Sequence, residues 1–308
     1  MTQPTFTGTG TQFYHTTPEV ADTVNLAIQL NRPILVEGEP GCGKTMLAYA
    51  IAAELGLGQP LKIVVRSTSR AQDLLYRVDA LRRLQDAQNP TNKTAQFIYP
   101  YLGLGPLGQA IHQPQQVVVL IDEIDKADID FPNDLLNVLD TFSFDIDDLP
   151  GEEEEAALQA KGFGRHVVST PESRPILVVT SNREKRLPDP FLRRCLYIRL
   201  RFPTTPEELL EIVRKNVDGS LADQNAALTT TAVTTFMGIR GQALKHDVNK
   251  PPTTSELIDW LRILYWKGQT PEAVSASPYL PPYWHLLFKD MNDLDRYQAV
   301  VTKQGTGE

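Results

Sequence analysis

The sequence is poor in several features that would mark other kinds of protein. Its 308 residues include two cysteines, Cys42 and Cys195, too few and too far apart for a disulfide framework, and neither sits in a zinc-like ligand set. A reducing compartment is the corresponding expectation. The five histidines, His15, His112, His166, His246 and His285, lack His-x-x-x-His or Cys-x-x-Cys companions, so no metal site beyond a nucleotide-bound ion is expected. No apolar run approaches the ~20 residues that cross a bilayer. The polar start Met1-Thr2-Gln3-Pro4-Thr5 lacks the basic and apolar regions of a secretory signal, which points to a cytoplasmic protein without membrane contact. A basic excess is missing too. The formal net charge of −8 argues against nucleic acid as a partner, although a local basic pore in an oligomer is compatible with it. What remains is a chain that is 41% hydrophobic, enough for one large core and a smaller second one.

The most informative segment is Gly38-Glu39-Pro40-Gly41-Cys42-Gly43-Lys44-Thr45, which fits the phosphate-cradling pattern GxxxxGK[ST]. Residues 33–36 before it read as a buried strand, and residues 46–55 after it read as a helix. Strand, loop, helix is the setting this pattern requires. Glycines let successive backbone N–H groups converge on phosphates, and the helix N-terminus adds a favourable dipole. A nucleoside triphosphate is expected at Glu39, Pro40, Gly41, Cys42, Gly43, Lys44, Thr45 and Met46. Lys44 would serve the β- and γ-phosphates and Thr45 would ligate Mg²⁺. Cys42 reads as a small filler.

Further strands are expected at 61–65, 117–121, 175–180 and 196–200, separated by helical patterns, which implies a parallel sheet. Thr17-Pro18-Glu19 reads as a capped helix start. The stretch 67–115 exceeds one crossover helix and predicts an insertion, with a polar tract at Asn89-Pro90-Thr91-Asn92. Phe142 to Ile146 alternates with period two, and the acids at 152–155 read as a solvated loop or helix start. After Phe202-Pro203 the pattern is helical only, at 207–217, 226–240, 255–267 and 283–289.

Asp122 and Glu123 follow five apolar residues at the carboxyl end of a strand, where open α/β sheets bind ligands. Asp122 would hold Mg²⁺ and Glu123 would polarise an attacking water. That pair favours hydrolysis over transfer to an acceptor, though kinases also carry an acid here. Asn182 ends the next core strand, which in a P-loop sheet lies beside the first. Its carboxamide suits a bridge between γ-phosphate and water, and equally suits a turn cap. Leu187-Pro188-Asp189-Pro190-Phe191-Leu192-Arg193-Arg194-Cys195 is a short helix ending in two arginines. These read either as surface charge or as a finger acting in trans.

In this order and at these spacings, GEPGCGKT, VVVLIDEIDKAD, VVTSN and LPDPFLRRC resemble the Walker A, Walker B, sensor 1 and arginine-finger motifs of AAA+ ATPases. The segment 67–115 resembles the helix-2 insert of the MoxR clade, and 141–150 its pre-sensor-1 hairpin. The resemblance implies a P-loop ATPase core over 1–203 and an all-helical lid with a tail over 204–308. It also implies ATP and Mg²⁺ as cofactors, and Glu123, Asn182 and Arg194 as catalytic residues, with Arg193 the other possible finger. A homo-oligomeric ring, expected to be a hexamer, follows from it, as does a protein client, a von Willebrand factor A domain protein by association. Ser255 stands where the sensor 2 arginine would fall, and Lys250 or Arg262 would have to substitute. The aromatic run Phe97-Ile98-Tyr99-Pro100-Tyr101 with Phe142 and Phe144 offers either client contact or internal packing. Two other readings are a nucleic-acid-linked motor, such as a restriction-type GTPase subunit, and a monomeric P-loop kinase.

Overall fold

The computed structural model describes residues 5–11, 14, 16–88, 93–149, 152–160, 162–217 and 219–305. His15, the first four residues and the polar tract 89–92 lie outside the described residues. The chain divides into two units, one of Met1–Thr11, Thr16–Gly38 and Lys44–Leu200, the other of Gln12–His15, Glu39–Gly43 and Arg201–Glu308. No helix among the described residues is long and apolar enough to cross a membrane.

The strands of the first unit are, in chain order, β1 (Ile34–Gly38), β2 (Leu61–Val64), β3 (Tyr76–Val78), β4 (Leu102–Leu104), β5 (Val118–Asp122), β6 (Ser143–Asp145), β7 (His166–Val168), β8 (Ile176–Ser181) and β9 (Leu196–Leu200). Five form one parallel sheet in the order β2-β5-β8-β1-β9. This is the α/β P-loop sheet that the alternation of strands and helices predicts. Every residue of β5 and of β8 is buried, because helices cover both faces of a central parallel strand and leave no polar side to show. Edge strand β2 instead alternates between half-buried and exposed residues. Helix Lys44–Glu54 buries Leu47, Ala48, Ala50, Ile51 and Ala52 and packs on β1, β5 and β8. Its alanines allow a close approach to the sheet.

Between β2 and β5 the chain forms helices Ala71–Leu75, Ala80–Ala87 and Pro106–His112, with β3 and β4 paired antiparallel. Gly108 makes the packing possible here: a Cβ on it would lie 1.9 Å from the Leu75 carbonyl oxygen. Strand β6 pairs antiparallel with β7, Phe144 opposite Val167. The return arm is therefore at 166–168, later than the compact hairpin expected over 141–150, because helix Glu152–Gln159 fills the connection.

The aromatic segment takes the internal-packing alternative, and one acid departs from the solvated face expected of it. Phe142 and Phe144 are 3% and 5% exposed, and Phe144 stacks on Tyr76 with ring centroids 6.3 Å apart, so both belong to the core and not to a client surface. Tyr101 is buried as well, its hydroxyl donating to Asp86 at 2.7 Å. The acidic run is a helix start, yet Glu154 is buried. Its Oε2 accepts the N–H groups of Ile98 and Tyr99 at 2.7 and 2.9 Å, replacing water for two otherwise unpaired donors.

The second unit is helical, with helices Pro206–Asn216, Gly219–Gln224, Ala226–Lys245, Thr254–Trp266, Pro271–Ser275 and Met291–Gly305. Capping boxes Thr205/Glu208 and Thr253/Glu256 start two of them, satisfying first-turn N–H groups. Trp260 is fully buried and donates to the Pro282 carbonyl at 2.8 Å. The helix expected at 283–289 is only a 3-10 turn, Trp284–Leu287, entered through Tyr283 at φ 60°. The unforeseen last helix is anchored by a buried acid: Asp293 accepts the N–H groups of Asn249 and Lys250 at 3.0 and 2.9 Å.

Leu120 lies at the centre of β5 with no exposed surface. Leu120→Ala is expected to cost about 2–5 kcal/mol of stability by urea denaturation, through lost burial and the cavity left behind. A cost under about 0.5 kcal/mol, the level of a surface change, would contradict the fully buried strand.

Candidate functional site

The loops after β1, β5 and β8 emerge at one edge of the sheet because these strands are parallel neighbours in the order β5-β8-β1. β8 pairs with β1 from Ile34↔Val178 to Glu37↔Ser181, so Asn182 follows a strand adjacent to the first, as expected. After β1, Lys44 is 7% exposed and its Nζ donates to the Gly38 carbonyl at 2.8 Å. Thr45 Oγ1 donates to Asp122 Oδ1 at 3.1 Å.

Asp122 is held from three sides. Its Oδ1 also accepts from Thr180 Oγ1 at 2.7 Å, and its Oδ2 pairs with Lys62 Nζ at 2.8 Å. Burial is the largest influence on this carboxyl and pushes its pKa up, but bonds from Lys62, Thr180 and Thr45 with the Lys62 charge outweigh it. The net result is a pKa below the usual carboxylate range. The Lys62 ammonium is raised in turn, chiefly by its bond to Asp122. Thus the acid stays ionised at neutral pH despite its burial.

Glu123 sits in the left-handed region at φ 61°, a costly conformation for a side chain with a Cβ. The same Thr180 Oγ1 accepts its N–H at 2.9 Å. Its Oε2 pairs with Lys126 at 2.8 Å, and its Oε1 accepts from Asn182 Nδ2 at 3.3 Å. The Lys126 pKa is raised, first by that bond. The structure therefore brings Lys44, Thr45, Asp122, Glu123 and Asn182 together. A cleft of about 490 Å³ bordered by Arg66, Glu123, Lys126 and Lys185 opens beside Glu123.

Arg193 and Arg194 differ. Arg193 is exposed, while Arg194 is half-buried and its guanidinium grips Asp140 at 2.6 to 2.8 Å and donates to the Pro190 carbonyl at 3.0 Å. Their backbone carbonyls both accept from Arg32.

Within the second unit, the substitutes considered for a missing arginine are engaged elsewhere. Lys250 lies 3.9 Å from Asp290, and Arg262 pairs with Asp259 at 3.5 Å and donates to the Asn216 carbonyl at 3.1 Å. Ser255 is exposed. A cation that does meet the Glu39–Gly43 segment is Arg240, which sequence reading passed over inside an apolar helix. Its side chain is 7% exposed, 2.5 Å from the Glu39 carboxylate, and lies over the Phe202 ring at 3.7 Å. Burial lowers its pKa, partly offset by Glu39. Thr254 Oγ1 donates to the Gly41 carbonyl at 2.6 Å. Of the remaining segment, Pro40 is exposed, Cys42 half-buried, and Met46, in the first unit, is 37% exposed.

Sequence reading also missed Thr180, Lys62, Asp125 and Lys126. The last two were visible as polar letters in DEIDKAD, and Thr180 as the only polar residue of β8 before Ser181. Lys62 had no signal, because its partner lies on another strand.

The chain matches the family described as "ATPase family associated with various cellular activities (AAA)" over residues 34–204. No curated protein matches it. Among solved structures it is similar to the RuvB Holliday junction branch migration motor of Thermotoga maritima, at 16% identity and TM-score 0.42, covering 92% of this chain and 69% of that one. A single-substitution mutant of the same RuvB gives 17% and 0.43, covering 86% and 73%. The matched stretch runs from β1 to just past β9 and contains the assembled loops. The chain belongs to the AAA family of ATPases, and the chemistry it performs is the hydrolysis of ATP.

Proposed function

We propose that this ATPase is a Mg²⁺-dependent motor of the MoxR type that acts in the cytoplasm as a ring of identical subunits, a hexamer, and remodels or activates a protein partner. The observation that carries the hydrolytic reading is the pairing of Glu123 with Asn182 beside Asp122 and Thr45. Oxygen donors Thr45 Oγ1 and Asp122 Oδ1 stand 3.1 Å apart, a hard, partly anionic pair suited to Mg²⁺. The cradle fits phosphate as well. Gly41 and Gly43 have φ of 75° and 91°, a Cβ on Gly41 would lie 2.4 Å from Thr253 Cβ, and positive φ turns backbone N–H groups inward.

On this reading Glu39, Pro40, Gly41, Cys42, Gly43 and Met46 shape the phosphate loop, Lys44 neutralises phosphate charge, and Thr45 with Asp122 holds the ion. Bound Mg²⁺ would supply charge neutralisation across the β- and γ-phosphates. Glu123 accepts a proton from the attacking water as that water adds to the γ-phosphorus, and ADP leaves as the bond to the γ-phosphate breaks. Asn182 orients Glu123 and the water. A neighbouring subunit supplies an arginine to the transition state. Of the two arginines, Arg193 is exposed, whereas Arg194 must first leave Asp140. The partner is a protein with a von Willebrand factor A domain, a reading resting on the motif resemblance. The acidic balance of the chain supports a protein client over nucleic acid.

Glu123→Gln should leave ATP affinity within about twofold while lowering turnover about 10²- to 10⁴-fold, the usual contribution of a general base. Unchanged turnover removes Glu123 from the mechanism. Gly41→Ala should weaken ATP binding at least about tenfold, since it forces both a left-handed alanine and a steric overlap. Wild-type affinity would show that the loop does not cradle phosphate. Light scattering with ATP and Mg²⁺ should report a ring, and a monomer under those conditions would overturn the ring assembly. Mixing Lys44→Ala subunits with Arg193→Ala subunits should restore activity that neither has alone, and rescue by Arg194→Ala instead would reassign the finger. Tight, salt-sensitive DNA binding in a gel shift would move the assignment to a nucleic-acid motor.

A further inference from the structure

We propose that Asp125 is a positioning residue for hydrolysis: it ties the loop that carries Glu123 to the loop that carries Asn182 and so sets the distance between them. The inference rests on the hydrolytic reading of that pair.

Asp125 lies in the 3-10 turn Ile124–Lys126 immediately after Glu123. It is 2% exposed. Its Oδ2 alone accepts two backbone N–H groups, that of Asn182 at 3.0 Å and that of Glu184 at 2.8 Å. Between those donors, Arg183 adopts φ 65°. Successive N–H groups bent around a left-handed residue form a concave nest that favours an anion, and the anion here is the Asp125 carboxylate.

The need for such a tie follows from the sheet. The β5–β8 ladder runs from Val118↔Ile176 to Ile121↔Val179 and stops there. Glu123 and Asn182 lie beyond it, each at a strand end where no ladder bond sets their separation. Thr180 Oγ1 joins the strands just past the last rung, but it does not reach the Asn182 loop. Asp125 does. One end of its bridge is two residues from Glu123 and the other is the Asn182 backbone itself, whose Nδ2 then meets Glu123 Oε1 at 3.3 Å.

An acid at this depth is expensive. Among the described residues its Oδ1 is buried without a hydrogen-bond partner, and a buried carboxylate is seldom worth more to stability than an apolar residue of similar size. Stability alone does not account for it, whereas fixing two loops to a fraction of an ångström does, because a 1 Å misplacement can cost about 10²-fold in rate.

The test compares Asp125→Ala, Asp125→Glu and Asp125→Asn in steady-state ATPase and fluorescent-nucleotide binding assays. Alanine removes the bridge and glutamate shifts it by a methylene; each should lower kcat at least about tenfold with nucleotide affinity within about twofold. Asparagine keeps one carbonyl oxygen for both N–H groups and should stay within about threefold of wild type. Where the alanine protein does not fold, the contrast between glutamate and asparagine decides. Wild-type kcat in Asp125→Glu, or asparagine as slow as glutamate, overturns the inference. Asn182→Ala in the same assays separates the two levels: if it turns over like wild type, the hydrolytic reading fails and the inference with it. If it is slow while the Asp125 variants are not, only the inference fails.

Discussion

Asp122 Oδ1 accepts from Thr45 at 3.1 Å and from Thr180 at 2.7 Å, and much of the site depends on that shared oxygen. Thr45 lies in the first turn of the helix after β1, Asp122 ends β5 and Thr180 lies near the end of β8. One buried carboxylate therefore joins three adjacent parallel strands where their ladders run out. Removing it would leave two hydroxyls and the Lys62 ammonium without their acceptor in a partly desolvated place, a large penalty for groups of that kind. The anion is kept charged by the groups it organises, and they are placed by the anion.

Past this junction the backbone leaves ordinary geometry. Glu123, Arg183 and Phe142 all have φ between 50° and 65°, in a region that side chains with a Cβ normally avoid. Glu123 makes the contact with Asn182, Arg183 follows Asn182, and Phe142 leads into β6. Each is over-determined by neighbours: Glu123 by Thr180 and Lys126, Arg183 by Glu37 and Tyr197, Phe142 by burial. Conformations costing of order 1–3 kcal/mol persist only when the surroundings hold them. The ladders of the sheet hold the strands, and polar side chains hold the loops.

Much of this was legible in the order of residues. Runs such as Val117 to Ile121 and Ile176 to Val179 are continuous and apolar, as strands covered on both faces must be, and they lie in the two wholly buried strands of the sheet. Thr17 before Pro18 marks the helix start where it occurs. Less legible were features in which a polar residue is used against its average habit. Glu154 sits in an acidic run and is buried because two N–H groups need an acceptor. The charged beginning of helix Met291–Gly305 hides Asp293, whose helix depends on a distant loop.

What the sequence determined by itself is the identity and order of the chemical groups: a glycine-rich phosphate loop, two acids after an apolar strand, an asparagine after another, two arginines after a short helix. Short-range patterns carry such information because strand, turn and helix are decided over a few neighbouring residues. Only the tertiary structure decided which groups meet. That Lys62 pairs with Asp122, that Asp125 grips the loop of Asn182, that Arg240 and not Lys250 or Arg262 faces Glu39, and that Arg194 is tied down while Arg193 is exposed, each joins residues far apart in the chain. Such pairings depend on strand order and helix packing, where hydrogen-bond distance matters and sequence distance does not.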